Sequence, residues 1–349
     1  MRKTLSKPFF SIVIPTYNRA RDLKCAITAI LQQSFHDFEI IVSDNNSKDK
    51  TQWVMSEFMD PRIRYFRNTR NLGWIPNLQR AINYSKGTYV LLHGDDDFML
   101  HSVFLHRLHK KLQLEPTGFV RVNYLSYGDD QKIIFDFHSK QFTKPLISDR
   151  SDGDKIVEFI DSIDPFFITG NVIKGDILHS VPLIQSELAP WFPAVYKAIE
   201  KHGALLWYEY EFIATWSKTF ECPRYYLSSG KYQFEHYFEE VKKHVSERYY
   251  KQFLDKRLNI LIREFPSAKF FTSNANFVHY AIHLLDINPA FRFLPAYWFW
   301  VVFSLVIPRF MLHSIRKRLI AAKKDNSIPN LREIHRKIDL FNKLRDDKP

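Results

Sequence analysis

Buried strands and amphipathic helices alternate over the first hundred residues. Strand-like apolar segments predict four strands, in FFSIVIP, FEIIVSD, IRYFRN and TYVLLHG. Between them, apolar residues recur at helical spacing, which predicts helices in RDLKCAITAILQQ, KTQWVMSEFM and IPNLQRAINYSKG. We expect Asn18 to cap the first helix and Gly87 to end the third. This alternation is typical of an α/β fold with a parallel sheet covered on both faces.

A polar loop follows each of these strands, namely PTYNR, SDNNS, NTRNLG and GDDD. In open α/β sheets, ligands bind beyond the carboxyl ends of the strands, so these loops predict a site. Three consecutive acids, Asp95, Asp96 and Asp97, follow the fourth strand. Carboxylates in such a position bind Mg²⁺ or Mn²⁺, and the ion can bridge the diphosphate of a nucleotide.

The pattern loosens after about residue 118. GFVRVNYLSYGDDQKIIFDF predicts two strands around a turn, and PFFITGNVIKGDIL predicts another strand. Beyond Pro190 we expect a helical, aromatic-rich chain. The expected organisation is one domain over 8–225, divided into halves at 8–118 and 119–225 and followed by a helical region at 226–349.

The positive charge is concentrated near the C-terminus. The formal net charge is +12, and the segment from Arg309 to the end holds twelve Lys/Arg against five Asp/Glu, which is +7 of that total. Just before it, fifteen uncharged residues run from Leu294 to Pro308, which is shorter than a membrane-spanning helix requires. Aromatic and basic residues together predict an anchor over 289–324 that binds an anionic membrane surface, with no nucleic-acid partner.

Two cysteines are too few for a disulfide framework, and the N-terminal apolar run FFSIVI is too short for a signal peptide. We therefore expect a reducing environment, on the cytoplasmic side of the inner membrane. The protein would be peripheral to that membrane.

Two long segments, from SIVIPTYNRARDL to SDNNSKDKT and from RNTRNLG to HGDDDFML, resemble the family-2 inverting glycosyltransferases with the GT-A fold. The resemblance covers roughly residues 8 to 110. It is strongest to sugar transferases of bacterial O-antigen and other surface polysaccharides, abequosyltransferase-like proteins among them. It implies a Rossmann-like, mostly parallel sheet with helices on both faces, here followed by a helical, aromatic-rich C-terminal extension. It further implies that 8–118 is the nucleotide-binding half of the domain and 119–225 the acceptor-binding half.

The resemblance also implies roles for individual residues. Contacts to the nucleotide sugar would come from Pro15, Thr16, Tyr17, Asp44, Asn71, Gly73 and Asp95. The metal ion, Mn²⁺ or Mg²⁺, would be held by Asp96 and Asp97. Gly94 stands where the family pattern has its first aspartate, which leaves open which two of the three acids face the metal.

An inverting transferase also needs a base that removes the proton of the acceptor hydroxyl. Glu209 and Glu211 are the candidates, because an aromatic setting can raise the pKa of a carboxyl group. Asp164 is an alternative, and either glutamate could instead be a helix-surface or a salt-bridged acid.

The sequence thus predicts metal-dependent transfer, with inversion, from a nucleotide-diphosphate sugar to a glycan acceptor. A lipid-linked acceptor in the synthesis of bacterial surface polysaccharide fits the expected membrane anchor. Two alternatives remain, a nucleotidyltransferase and a non-catalytic membrane-associated scaffold with a degenerate transferase domain.

Overall fold

In the computed structural model, the strands form one mixed sheet and the helices cover both of its faces. The structure describes residues 7–128, 133–135, 150–163, 167–186, 189–216, 234–263, 265–266, 273–308, 311 and 331–346. The strands are β1 (Phe10–Thr16), β2 (Phe38–Asp44), β3 (Ile63–Arg67), β4 (Tyr89–Leu92), β5 (Phe98–Met99), β6 (Phe119–Gly128), β7 (Ile133–Phe135), β8 (Asn171–Lys174) and β9 (Ala204–Trp216).

The strand order within the described residues is β3-β2-β1-β4-β8-β6-β9-β5, with β7 paired to β6. Strands β1 to β4 are mutually parallel, as the sequence predicts. Strand β8 is antiparallel to both β4 and β6, and β9 is parallel to β6. The first four strands therefore form a parallel half-sheet, and β8, β6 and β9 extend it as a mixed one.

The helices are α1 (Ala20–Leu31), α2 (Thr51–Glu57), α3 (Trp74–Tyr84), α4 (Phe104–Leu114), α5 (Gly153–Ser162), α6 (Gly175–Ser180), α7 (Phe192–His202), α8 (Phe234–Lys242), α9 (Glu247–Arg263), α10 (Asn274–Ile287), α11 (Pro295–Val306) and α12 (Leu331–Asp346). Helices α1 and α4 cover one face of the sheet. Helices α3, α5 and α7 cover the other face, and that core continues into α8 to α11. None of the helices in the described part of the chain is long and apolar enough to cross a membrane.

The two expected helix caps are wrong. Helix α1 has Arg19 at its N-cap position, and Asn18 instead adopts a left-handed φ of 55° in the turn before it. Helix α3 ends at Tyr84 with Ser85 as its C-cap residue, so Gly87 is not a cap. Gly87 lies where β4 meets β1, and a Cβ there would lie 2.8 Å from the carbonyl carbon of Phe10.

The expectation of helix beyond Pro190 is wrong for the segment ALLWYEYEFIATW. This segment is β9, which pairs with β6 from Phe119 opposite Ala204 to Gly128 opposite Trp216, with shifts in register on either side of Asn123. Aromatic and β-branched residues favour strands when a neighbouring strand offers a pleated surface. The non-local pairing with β6 therefore decided the conformation.

Candidate active site

The loops that follow β1, β2 and β4 meet at one edge of the sheet. Thr16, the last residue of β1, lies opposite Asp44, the last residue of β2. The backbone N–H of His93, just beyond β4, donates to the carbonyl of Val13 in β1 at 3.0 Å. The parallel register therefore brings the acidic loop after β4 beside the PTYNR and SDNNS loops.

Asp44 is fully buried and organises the loop that follows β2. Its Oδ1 accepts from the backbone N–H and the hydroxyl of Ser47, at 2.8 and 2.6 Å. Its Oδ2 accepts from the hydroxyl of Tyr65 at 2.5 Å and lies 3.5 Å from Nε of Arg67. Burial and the adjacent Asp44 carboxylate raise the pKa of Tyr65, so its hydroxyl stays protonated as a donor. A contact from Asp44 to the nucleotide remains a prediction beside this observed role.

Asn45 holds the predicted Asn71–Gly73 turn in place. Its amide nitrogen donates to Oδ1 of Asn71 at 2.7 Å and to the carbonyl of Gly73 at 3.1 Å. Its own Oδ1 accepts from the backbone N–H of Leu72 at 2.8 Å. Gly73 has a φ of +88°, which side-chain-bearing residues rarely adopt. Sequence reasoning named the turn but not Asn45, although the pair of asparagines after β2 was a usable signal.

Pro15, Thr16 and Tyr17 form the end of β1 and the start of its loop. Thr16 is buried, whereas the Tyr17 side chain is 43% exposed. Tyr17 therefore presents a ring and a hydroxyl at the same edge of the sheet as the acidic loop. A nucleoside contact from these three residues stays a prediction.

Arg19 connects the loop after β1 to the acids after β4. Its Nη1 donates to Oδ2 of Asp96, and its Nε lies 3.8 Å from Oδ1 of Asp95. Burial raises the pKa of Asp95, although the charge of Arg19 opposes that shift. The Asp95 and Asp96 carboxylates therefore face a common positive charge.

Asp97 points in a different direction from this pair. Its Oδ2 accepts from the hydroxyl of Thr169, and Oγ1 of Thr169 in turn accepts from the backbone N–H of Gly94 at 2.8 Å. A Cβ at Gly94 would lie 2.6 Å from Oδ2 of Asp97. A side chain at Gly94, where the family pattern has its first aspartate, would therefore require the Asp97 carboxylate to move. Sequence reasoning missed Thr169, and no local signal marks it.

Asp95 and Asp96 suit a divalent ion such as Mg²⁺ or Mn²⁺. Within the described residues, no group of three or more His, Cys, Asp or Glu side chains is placed to hold a metal. Magnesium is commonly bound by one or two carboxylates together with substrate phosphates, and two carboxylates that already face one cation provide that donor set. The residues present therefore fit an ion that binds together with a nucleotide diphosphate.

Glu209 and Glu211 lie on β9, two residues apart, and both contact Arg107 of α4. Glu209 is 57% exposed and forms an ion pair with Nη2 of Arg107. Glu211 is fully buried and accepts from Nε1 of Trp207 at 3.0 Å, with Nδ1 of His101 also 3.0 Å away. Both are salt-bridged acids, as the alternative interpretation held. Asp164, the other candidate base, lies outside the described residues.

Residues 11–167 match the sequence profile of Glycosyl transferase family 2. A Campylobacter jejuni GalNAc(5)-diNAcBac-PP-undecaprenol beta-1,3-glucosyltransferase is 40% identical over 96 residues, which is 27% of this chain and 31% of the relative. An Escherichia coli UDP-Glc:alpha-D-GlcNAc-diphosphoundecaprenol beta-1,3-glucosyltransferase is 29% identical over 90 residues, which is 26% of this chain and 36% of the relative. The matched segments thus span about a third of each of these relatives.

A mannosyltransferase from Pyrobaculum calidifontis, solved with GDP-Man and Mn²⁺, shares the fold. The two structures superpose with a TM-score of 0.52 at 14% identity, over 89% of this chain and 87% of the other. This likeness confirms the predicted GT-A architecture, and the profile match confirms the predicted family. Residues 11–167 form a glycosyl transferase family 2 domain.

Proposed function

We propose that this chain is a metal-dependent, inverting glycosyltransferase that uses a nucleotide-diphosphate sugar. The observation that carries the proposal is the pair of acids at the carboxyl edge of the sheet, Asp95 and Asp96, which both face the guanidinium of Arg19. The Asp44 loop and the exposed Tyr17 lie at the same edge, where a nucleoside would bind.

The proposed reaction uses the acidic residues of the site in two roles, as a base and as ligands of a divalent ion. The acceptor hydroxyl oxygen attacks the anomeric carbon while the bond from that carbon to the diphosphate oxygen breaks, and the diphosphate leaves with the bonding electrons. A carboxylate of the chain takes the hydroxyl proton. A bound divalent ion would stabilise the negative charge that develops on the leaving diphosphate. We propose Asp96 as its main ligand and Asp95 beside it, because both face the same cation, with Asp97 holding the loop through Thr169.

A nucleotide panel tests this proposal directly. UDP, GDP, CDP and dTDP, each with and without Mn²⁺, should be added to the wild-type protein while its melting temperature is followed. One nucleotide should raise that temperature in a Mn²⁺-dependent way, because a ligand that binds only the folded state stabilises it. No shift with any nucleotide would favour the scaffold alternative.

We propose Glu209 as the base, because its carboxylate is 57% exposed and therefore open to an acceptor, whereas Glu211 is fully buried. Glu209→Gln should lower kcat at least about 100-fold, the lower range for loss of a general base, with little change in melting temperature. Glu211→Gln should instead lower the melting temperature, because it removes a buried charge that His101 and Trp207 contact.

Glu115→Gln is the control, since Glu115 is an exposed acid at the end of α4. Unchanged kcat in Glu209→Gln would contradict the assignment and direct attention to Asp164. Steady-state kinetics with a sugar-nucleotide donor give kcat, and calorimetry gives the melting temperature.

We propose further that the acceptor is a lipid-linked glycan and that the chain binds the cytoplasmic surface of the inner membrane. The two relatives described above are named as acting on undecaprenol-linked acceptors. In this chain, apolar side chains on and next to α11 are exposed: Phe293 (88%), Trp298 (46%), Phe299 (57%), Val302 (55%) and Val306 (74%). The +7 segment that follows supplies the charge complementary to anionic lipid.

Phe293→Ser with Phe299→Ser should weaken binding to vesicles that contain anionic phosphatidylglycerol by about tenfold or more, because burying one such side chain in an apolar phase contributes about 1.5–3 kcal/mol. Sedimentation with vesicles gives the bound fraction, and vesicles of pure phosphatidylcholine test the charge dependence. Leu114→Ser, at an exposed leucine at the end of α4, should leave binding unchanged. Equal binding by the double variant and wild type would contradict the membrane role of this face.

A further inference from the structure

Arg19 carries a positive charge between the two acids proposed to hold a divalent ion. It donates to Asp96 through Nη1 and lies 3.8 Å from Asp95 through Nε, and 25% of its side-chain surface is exposed. An arginine guanidinium stays protonated in proteins, whatever its surroundings. The guanidinium is therefore charged and offsets the repulsion between the two carboxylates.

The backbone on both sides of Arg19 is held by the loop after β2. The N–H of Asn18 donates to Oγ of Ser47 at 2.9 Å, and the N–H of Ala20 donates to Oδ2 of Asp49 at 3.0 Å. Ser47 in turn donates its hydroxyl to Asp44 at 2.6 Å. The backbone position of Arg19 is thus tied to the proposed nucleoside loop, whereas its side chain reaches Asp96 and Asp95.

A divalent ion and a guanidinium compete for the same carboxylate oxygens, and two cations repel each other at such a distance. We infer that Arg19 is the resident counter-cation of Asp95 and Asp96, and that a divalent ion binds this pair only by displacing it. This inference rests on the proposed function. A displaced Arg19 needs a new anionic partner, and the diphosphate of the nucleotide has that chemistry. Ion and nucleotide should therefore bind with positive coupling, and Arg19 is a positioning residue that transmits it.

The first arm of the test uses the protein without any metal. In EDTA, Arg19→Gln should lower the melting temperature by about 4 °C or more, because two adjacent, largely buried carboxylates lose their counter-charge. Arg21→Gln is the matched control, since Arg21 is exposed on α1 and its substitution removes the same charge two residues away. Equal melting temperatures for the two variants would overturn the counter-cation role.

The second arm measures Mn²⁺ binding by calorimetry. Without nucleotide, Arg19→Gln should bind Mn²⁺ about tenfold more tightly than wild type, a change within the usual range of coupling between neighbouring sites. Arg19→Lys, which keeps the charge, should stay close to wild type, as should Arg21→Gln. Adding the preferred nucleotide should then tighten Mn²⁺ binding more in the wild type than in Arg19→Gln.

The outcomes separate this inference from the proposed function. Equal or weaker Mn²⁺ binding by Arg19→Gln, in a protein that still binds a nucleotide, would overturn the displacement of Arg19 alone. A wild-type protein that binds no nucleotide, with or without Mn²⁺, would contradict the proposed function. Tighter Mn²⁺ binding by Arg19→Gln together with reduced coupling to nucleotide would support both.

Discussion

Asp96→Asn should lower the rate of sugar transfer by about 10³- to 10⁴-fold. The substitution keeps the size of the side chain but removes the charge that faces Arg19 and that we propose binds the divalent ion. Stabilisation of the leaving diphosphate by a metal contributes several kcal/mol, and each 1.36 kcal/mol corresponds to about a factor of ten in rate. Release of the nucleotide diphosphate from a sugar-nucleotide donor, measured with saturating Mn²⁺, gives the rate.

Asp176→Asn provides the control for that experiment. Asp176 is an exposed acid in the first turn of α6, so the same chemical change there should leave the rate unaltered. Melting temperatures of both variants show whether the fold is intact. Wild-type activity in a folded Asp96→Asn protein would contradict the assignment of Asp96 as the main ligand.

Gly87→Ala should lower the free energy of unfolding by about 3 kcal/mol and the melting temperature by about 6–10 °C. The added Cβ would lie 2.8 Å from the carbonyl carbon of Phe10 and closer still to the backbone nitrogen of Ser11, at the point where β4 joins β1. The backbone atoms of β1 lie in the centre of the sheet and cannot move aside. The segment that contains Gly87, and β4 after it, must therefore shift instead. Because the acidic loop follows β4, nucleotide binding should weaken as well.

Lys86→Ala, one position earlier, is the matched control, since the Lys86 side chain is exposed and its backbone N–H bonds to Glu39 and Ser11 would remain. Urea unfolding gives the free energy, and calorimetry gives the melting temperature. A Gly87→Ala protein that unfolds at the same urea concentration as Lys86→Ala would show that β1 and β4 tolerate the extra carbon.

These two predictions depend to different degrees on the sequence alone. The acids were visible as a run of three after a buried strand. Their position beside the other polar loops followed because the carboxyl ends of parallel strands lie at one edge of the sheet. Gly87 was visible only as a glycine after a helix, where a cap is the common interpretation. Its close approach to β1 depends on a contact across 76 residues. A local pattern contains no information about such a contact.

Local periodicity by itself determined the first four strands and the helices between them. There, apolar residues repeat at the spacing of the element that they form, so each segment is recognisable without its neighbours. The same periodicity placed the four polar loops at one edge of the sheet. The profile match to Glycosyl transferase family 2 agrees with that interpretation.

Tertiary structure alone decided the conformation of the second half and the directions in which the acidic side chains point. Strand β9 forms because β6 offers it a partner, since its aromatic residues suit a pleated surface as well as a buried helix. Asp97 turns toward Thr169, 72 residues away, and Asp96 turns toward Arg19, 77 residues away. The order of residues along the chain determined which charges reach this edge of the sheet. The side chains that meet each charge came from distant segments, whose positions depend on the packing of the whole sheet.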